Sequence, residues 1–205
     1  MRNKLYLVAV FALLSVPLAA QAPPAAGAGT GISLWIGGSL STFNPDYGCE
    51  SASPFSCADH QLIGVGPYVD TNLFLFGIVG FEGEARLMLW HGPGTLIENS
   101  YLGGPRFRLF RYKDLHFAGK FLLGQGHMDV PDHLLGGGNY FAYAPGVAMD
   151  FPVARHIAGR FEYEYQRWPG WASFHGHSVG GLTPNGFSFG ISYKIPSLVS
   201  GKTPN

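Results

Sequence analysis

The 205-residue sequence predicts an all-β fold, an eight-stranded antiparallel up-and-down transmembrane β-barrel. Three observations predict it. Apolar and aromatic residues recur with period two over segments of strand length. The connections between those segments alternate between long and short. Charged residues, only 13% of a chain with 30 Gly and 16 Phe, collect on the faces opposite the aromatics.

The chain opens with Arg2 and Lys4, runs apolar from Leu5 to Ala20, and leaves through small residues. That is the charged start, apolar middle and small-residue exit of a signal peptide, expected over 1–22. Cleavage after Ala20 and cleavage after Ala22 both fit. An uncleaved anchor is the alternative, but the run is short for a spanning helix. Residues 23–30, rich in Ala, Pro and Gly, read as a flexible leader. The barrel is expected over 31–195, with a C-terminal tail at 196–205.

The expected strands are 31–42, 61–71, 77–89, 99–110, 115–126, 138–151, 156–167 and 184–195. In the seventh, Phe161, Tyr163 and Tyr165 alternate with Arg160, Glu162, Glu164 and Gln166. A helix scatters those aromatics around its circumference; a strand puts them on one face. In the eighth, Phe187, Phe189, Ile191, Tyr193 and Ile195 share a face, and in the fifth Phe117, Phe121 and Leu123 do. The connections at 43–60, 90–98, 127–137 and 168–183 are long; those at 72–76, 111–114 and 152–155 are short. Brief periplasmic turns and longer outer loops give this rhythm. An even strand number places both termini in the periplasm.

The faces opposite the aromatics carry Asp70, Glu82, Glu84, Arg86, Arg106, Arg108, Lys120, Asp150, Arg160, Glu162, Glu164 and Lys194. Charges cannot face lipid, where each costs a few kcal/mol at the midplane, so they are expected inside the barrel and paired. Six acids against six bases suit a narrow, filled interior better than an ion-selective pore. A soluble lipocalin-like barrel, apolar inside with these charges in water, stays open as the alternative fold. Over the whole chain Lys plus Arg equals Asp plus Glu at 13 each, so no polyanionic partner and no nucleic acid is implied.

Cys49 and Cys57 stand close together in the first long connection and, in an oxidising compartment, read as a disulfide stapling it. His60, His91, His127, His133, His175 and His177 fall in or beside the long connections, with Asp46, Glu50, Asp59, Glu98, Asp129 and Asp132 against Arg167. Such loops can bind divalent cations, yet no third ligand is fixed by spacing, and solvated loop residues are the plainer reading. No metal and no cofactor is expected. Trp90, Trp168, Trp171 and Phe174 read as an interfacial aromatic girdle.

The stretches WIGGSLSTFNPDYG, GPYVDTN followed by FGIVGFEGEARL, SYLGGPRFRLFRYKDLHFAGKFLLGQGH and LTPNGFSFGISYKI resemble the small OmpA/OmpX-like outer-membrane β-barrel family over residues 31–195. The resemblance implies the bacterial outer membrane as location. It implies outer-membrane lipids, lipopolysaccharide and the outer-membrane assembly machinery as partners, and a monomer as the working form. The last strand resembles the assembly signal of such barrels, but the chain continues from Pro196 to Asn205 without a terminal aromatic. No peptidoglycan-binding domain follows. Small barrels of this kind also include lipid A deacylases, whose His-x-Ser spacing puts both side chains on one strand face. Here His177 and Ser178 are adjacent and point opposite ways in a strand, while His175 and Ser178 need a turn to meet. No enzyme is expected. The expected role is structural or surface-interacting, through the outer loops; a narrow porin-like channel and a deacylase-like enzyme are the alternatives.

Overall fold

The computed structural model describes residues 33–46, 61–75, 78–90, 97–129, 137–172 and 180–195. The expected signal peptide and leader, the Cys49–Cys57 pair, and the C-terminal tail lie outside the described residues. Eight strands follow one another: β1 (Leu34–Asn44), β2 (Leu62–Leu75), β3 (Val79–Trp90), β4 (Ile97–Tyr112), β5 (Leu115–Asp129), β6 (Gly138–Ala154), β7 (Ile157–Tyr165) and β8 (Asn185–Ile195). Each pairs antiparallel with the next, and β8 pairs back onto β1 from Leu34↔Ile195 to Asn44↔Asn185. The sheet is a closed barrel with no free edge, the condition for strands to sit in lipid with every ladder group satisfied.

The period of two decides which residues look out. Ile36 and Leu40 on β1, Val69 on β2, Phe81 on β3, Phe107 on β4, Phe121 and Leu123 on β5, Val147 on β6, Phe161 and Tyr163 on β7, and Phe187, Phe189 and Ile191 on β8 are all exposed. No soluble monomer leaves a continuous apolar belt of this extent in water. Stacked rings tie neighbouring strands across that belt, Phe161 on Phe187 at 5.6 Å and Phe121 on Tyr143 at 6.2 Å. The alternate residues turn inward, where Asp70, Glu82, Arg86, Arg106, Lys120, Arg160, Glu162 and Glu164 are buried. Polarity is thus reversed relative to a lipocalin-like barrel, which is overturned: such a barrel needs an apolar interior.

Strands β2, β4, β5 and β6 run longer than the period-two pattern alone marks, because the ladder continues past the apolar belt. β4 extends to Tyr112 and β5 starts at Leu115, so this hairpin projects beyond β3, whose pairing with β4 begins at Val79↔Phe107. A register shift between Arg108 and Phe110 marks where the hairpin leaves the closed wall. Bulges at barrel rims end regular pairing in this way.

Eight strands leave an interior only as wide as side chains, so some inward positions must be empty. Gly124 faces in from β5, and a Cβ there would overlap the backbone of Tyr101 on β4. Gly37 and Gly190, on β1 and β8, leave the space that the Tyr68 ring fills. Gly124→Val should therefore lower barrel stability by about 1–3 kcal/mol through overpacking. Gly38→Ala, where a Cβ meets nothing nearer than 3.9 Å, should stay within about 0.5 kcal/mol. Urea titration of the two variants in detergent micelles, followed by tryptophan fluorescence, checks the contrast.

Candidate functional site

The chemistry of this molecule is concentrated inside the barrel. β3 supplies Glu82, Glu84 and Arg86, and β7 supplies Arg160, Glu162 and Glu164, each set at successive inward positions. In a ring of eight, β3 and β7 stand opposite each other. Pairs between them therefore cross the lumen.

The upper layer is built on Arg86 and Lys120. Arg86 pairs with Glu164, with Glu162 at 2.6 Å and with Glu84 at 3.2 Å. The Lys120 ammonium, from β5, reaches Glu162 and Glu164 at 2.7 Å, Glu84 at 2.8 Å and Glu82 at 3.3 Å. The lower layer is built on Arg160 and Arg106. Arg160 holds Asp70 at 2.5 Å, Asp150 at 2.7 Å and Glu82 at 3.0 Å. Arg106 pairs with Asp150 and lies 3.4 Å from Asp70 and 3.5 Å from Glu82. Glu82 belongs to both layers and joins them. Two guanidinium groups also cover rings, Arg86 over Phe43 at 4.6 Å and Arg160 over Tyr68 at 4.4 Å.

Glu82, Glu84 and Glu162 bring one oxygen each to within 4.8 Å of one another, a spacing that a metal ion can use. The Lys120 ammonium contacts all three carboxylates, so the cation this cluster needs is supplied by the chain. Charges this deep in a low-dielectric wall are tolerable only with such partners.

Two residues expected inside are not enclosed with these charges. Arg108 is exposed, because it lies on the part of the β4–β5 hairpin that projects past β3. Lys194 is half-buried at the end of β8, its ammonium 5.9 Å from the centre of the Trp35 ring. It faces inward, but at the rim, beyond reach of the buried acids. The network is therefore six carboxylates with four bases, not the even balance expected.

Above the ionic layers the lumen is closed by apolar side chains. Trp168 and Trp171 are buried, not part of an interfacial girdle; they pack with Leu122, Met128, Ala142 and Leu182. The inward alternation of β7 simply continues through Gln166 to Trp168, a signal present in the sequence. Bridges Tyr143↔Arg167 and Trp168↔Leu182 keep the register of β7 with β6 and β8, so the wall continues past Tyr165 and Trp168 points into the lumen. Gly181, with φ at +93°, lets the returning chain lie close against this segment, where a Cβ would press on the Trp168 carbonyl. The lid is tied to the charges below: the Trp168 indole donates to Gln166 Oε1 at 2.9 Å, and Gln166 donates to Glu164 at 2.8 Å. Phe43, Leu62 and Met88 fill the other side of the mouth.

Glu98, expected in a loop, is instead buried on β4, since that strand begins at Ile97. Asp129 ends β5 and His127 bonds Asn139 across to β6 at 2.7 Å. The side chains of His60, His91, His133, His175, His177 and Ser178 lie outside the described residues, as do those of Trp90 and Phe174.

If these pairs fill the lumen, removing one member strands a buried charge. Arg160→Ala should cost about 3–5 kcal/mol. Arg111→Ala, at the exposed turn, should cost about 1 kcal/mol or less. Unfolding titrations in detergent, run on both variants, measure the difference.

No family model and no curated protein matches the sequence. Solved structures that it is similar to include Neisserial surface protein A, at 12% identity and TM-score 0.48, covering 81% of this chain and 98% of that one. They also include Ail, the attachment invasion locus protein of Yersinia pestis, at 17% identity and TM-score 0.47, covering 80% and 99%. A third is the outer membrane protein OprG from Pseudomonas aeruginosa, at 10% identity and TM-score 0.47, covering 82% and 97%. The barrel's own geometry carries the assignment: an unbroken ladder, an apolar belt outside and charges locked inside have one compatible setting. The chain is a small eight-stranded β-barrel of the outer-membrane type, the architecture its OmpA/OmpX-like sequence resemblance implies.

Proposed function

We propose that this is a non-enzymatic surface protein of the outer membrane, a monomer whose outer loops bind partners outside the cell. The observation that supports it is the crossing of the lumen by Arg86, Lys120 and Arg160 with the carboxylates opposite, under the Trp168–Trp171 lid. A barrel filled in this way offers a solute no path, so what the protein offers its surroundings is its ends. Residues 1–22 serve as the export signal and 31–195 as the barrel. The β8 pattern from Asn185 to Ile195 is what the assembly machinery reads, and lipopolysaccharide is the neighbour of the outer rim.

Reconstituted into a planar bilayer, the protein should carry no steady single-channel current. It should also migrate at two positions on a gel depending on boiling, as folded barrels do. Shortening the 47–60 connection should remove binding to the outer partner while leaving the unboiled band unchanged. A stable, ion-selective current from the unaltered protein sinks this reading in favour of a channel.

The same reading makes Cys49 and Cys57 a loop staple worth roughly 2–3 kcal/mol in the chain-entropy model. Freshly purified protein should then show no alkylatable thiol by mass spectrometry, and Cys57→Ser should loosen the loop without unfolding the barrel. Two free thiols defeat the staple.

A further inference from the structure

The charges outside the lumen are sorted by end. The short-turn end carries Arg108, Arg111, Lys113 and Arg155, all exposed, and half-buried Lys194. Asp114 is the only exposed acid among the described residues there. At the long-loop end the described acids are Asp46, Glu98 and Asp129, and the described base is Arg167. With short turns in the periplasm, the basic end meets the inner leaflet of the membrane.

The surroundings of these bases distinguish a lipid from a soluble anion. Leu109, Phe110, Tyr112 and Val153 lie between them in sequence and are about as exposed as the belt residues. Phe110 stacks on Phe117 at 4.4 Å, and the Lys113 ammonium lies 5.4 Å over the Tyr112 ring. Arg111 is steadied near the turn by its bond to the Lys113 carbonyl at 2.7 Å. Apolar rings in hydrocarbon with cationic tips just beyond them are the arrangement that snorkelling side chains adopt at a headgroup layer. A soluble polyanion satisfies the bases and leaves the rings in water. An anionic phospholipid satisfies both, its phosphate meeting the bases and its chains the rings.

We propose that the periplasmic rim formed by the β4–β5 and β6–β7 turns, with Arg111, Lys113 and Arg155, is a binding surface for anionic phospholipid headgroups. This rests on the membrane reading above and on its orientation. The attraction of each base to an anionic surface makes the effect measurable.

The test folds the protein into phosphatidylcholine vesicles with a trace of spin-labelled phosphatidylglycerol or spin-labelled phosphatidylcholine. Electron paramagnetic resonance then gives the relative occupancy of the barrel's boundary by each lipid. The native protein should favour phosphatidylglycerol by about threefold or more, and the preference should fade in 1 M salt. The triple variant Arg111→Ala, Lys113→Ala, Arg155→Ala should show a ratio near one, and Arg167→Ala should keep the native ratio. Equal occupancy by the native protein, or an undiminished preference in the triple variant, overturns the proposal while leaving a properly inserted barrel. Failure of the native chain to insert at all removes the membrane reading and this proposal with it.

Discussion

The rest of the structure depends on the pairing of Arg86, Lys120, Arg106 and Arg160 with six carboxylates across a narrow lumen. A charge inside such a wall has no solvent to fall back on, so each base contacts several oxygens and Glu82 serves both layers. The consequences run outward. Long charged side chains need room, which the glycines and serines of β1 and β8 provide, with Ser41 and Ser188 bonded at 2.8 Å. Charges turned inward force the alternate positions outward, and those positions are aromatic and aliphatic. The lipid-facing belt and the ionic core are one pattern seen from its two sides.

Much of this was legible in the sequence because both faces of a strand are written in alternate letters. Strands β5 and β8 begin and end within a few residues of the segments that alternation marks, and the rhythm of long and short connections follows. What was not legible depends on neighbours. Arg108 obeys the alternation of β4, yet whether it is enclosed depends on where β3 stops, a fact of register between distant segments. Lys194 likewise faces the right way at a height where the acids are out of reach. Trp168 and Trp171 read as an interfacial girdle because their composition suits one, but the wall continues past β7 and turns Trp168 inward, with Trp171 packed in the same cluster. The parity of Gln166 and Trp168 with Glu164 was the available clue.

The lumen is unequal along its axis. The mouth at the long-loop end is filled by indoles and by Leu122, Met128 and Leu182. Toward the periplasm the network ends on Asp150, whose side chain retains 24% exposure while the other acids are at 6% or less. Solvent therefore touches the network at Asp150, while an apolar layer covers it at the other end.

The strands that close the ring, β1 and β8, contribute no partner to any of the buried ion pairs. Every salt bridge of the core is made by residues of strands β2 to β7. Unzipping the join between the first and last strands breaks a ladder of backbone bonds and the Ser41–Ser188 contact, but parts no cation from its anion. The curved sheet of six strands can bring its buried charges together as it rolls up, and the terminal strands then dock without entering any of those pairs.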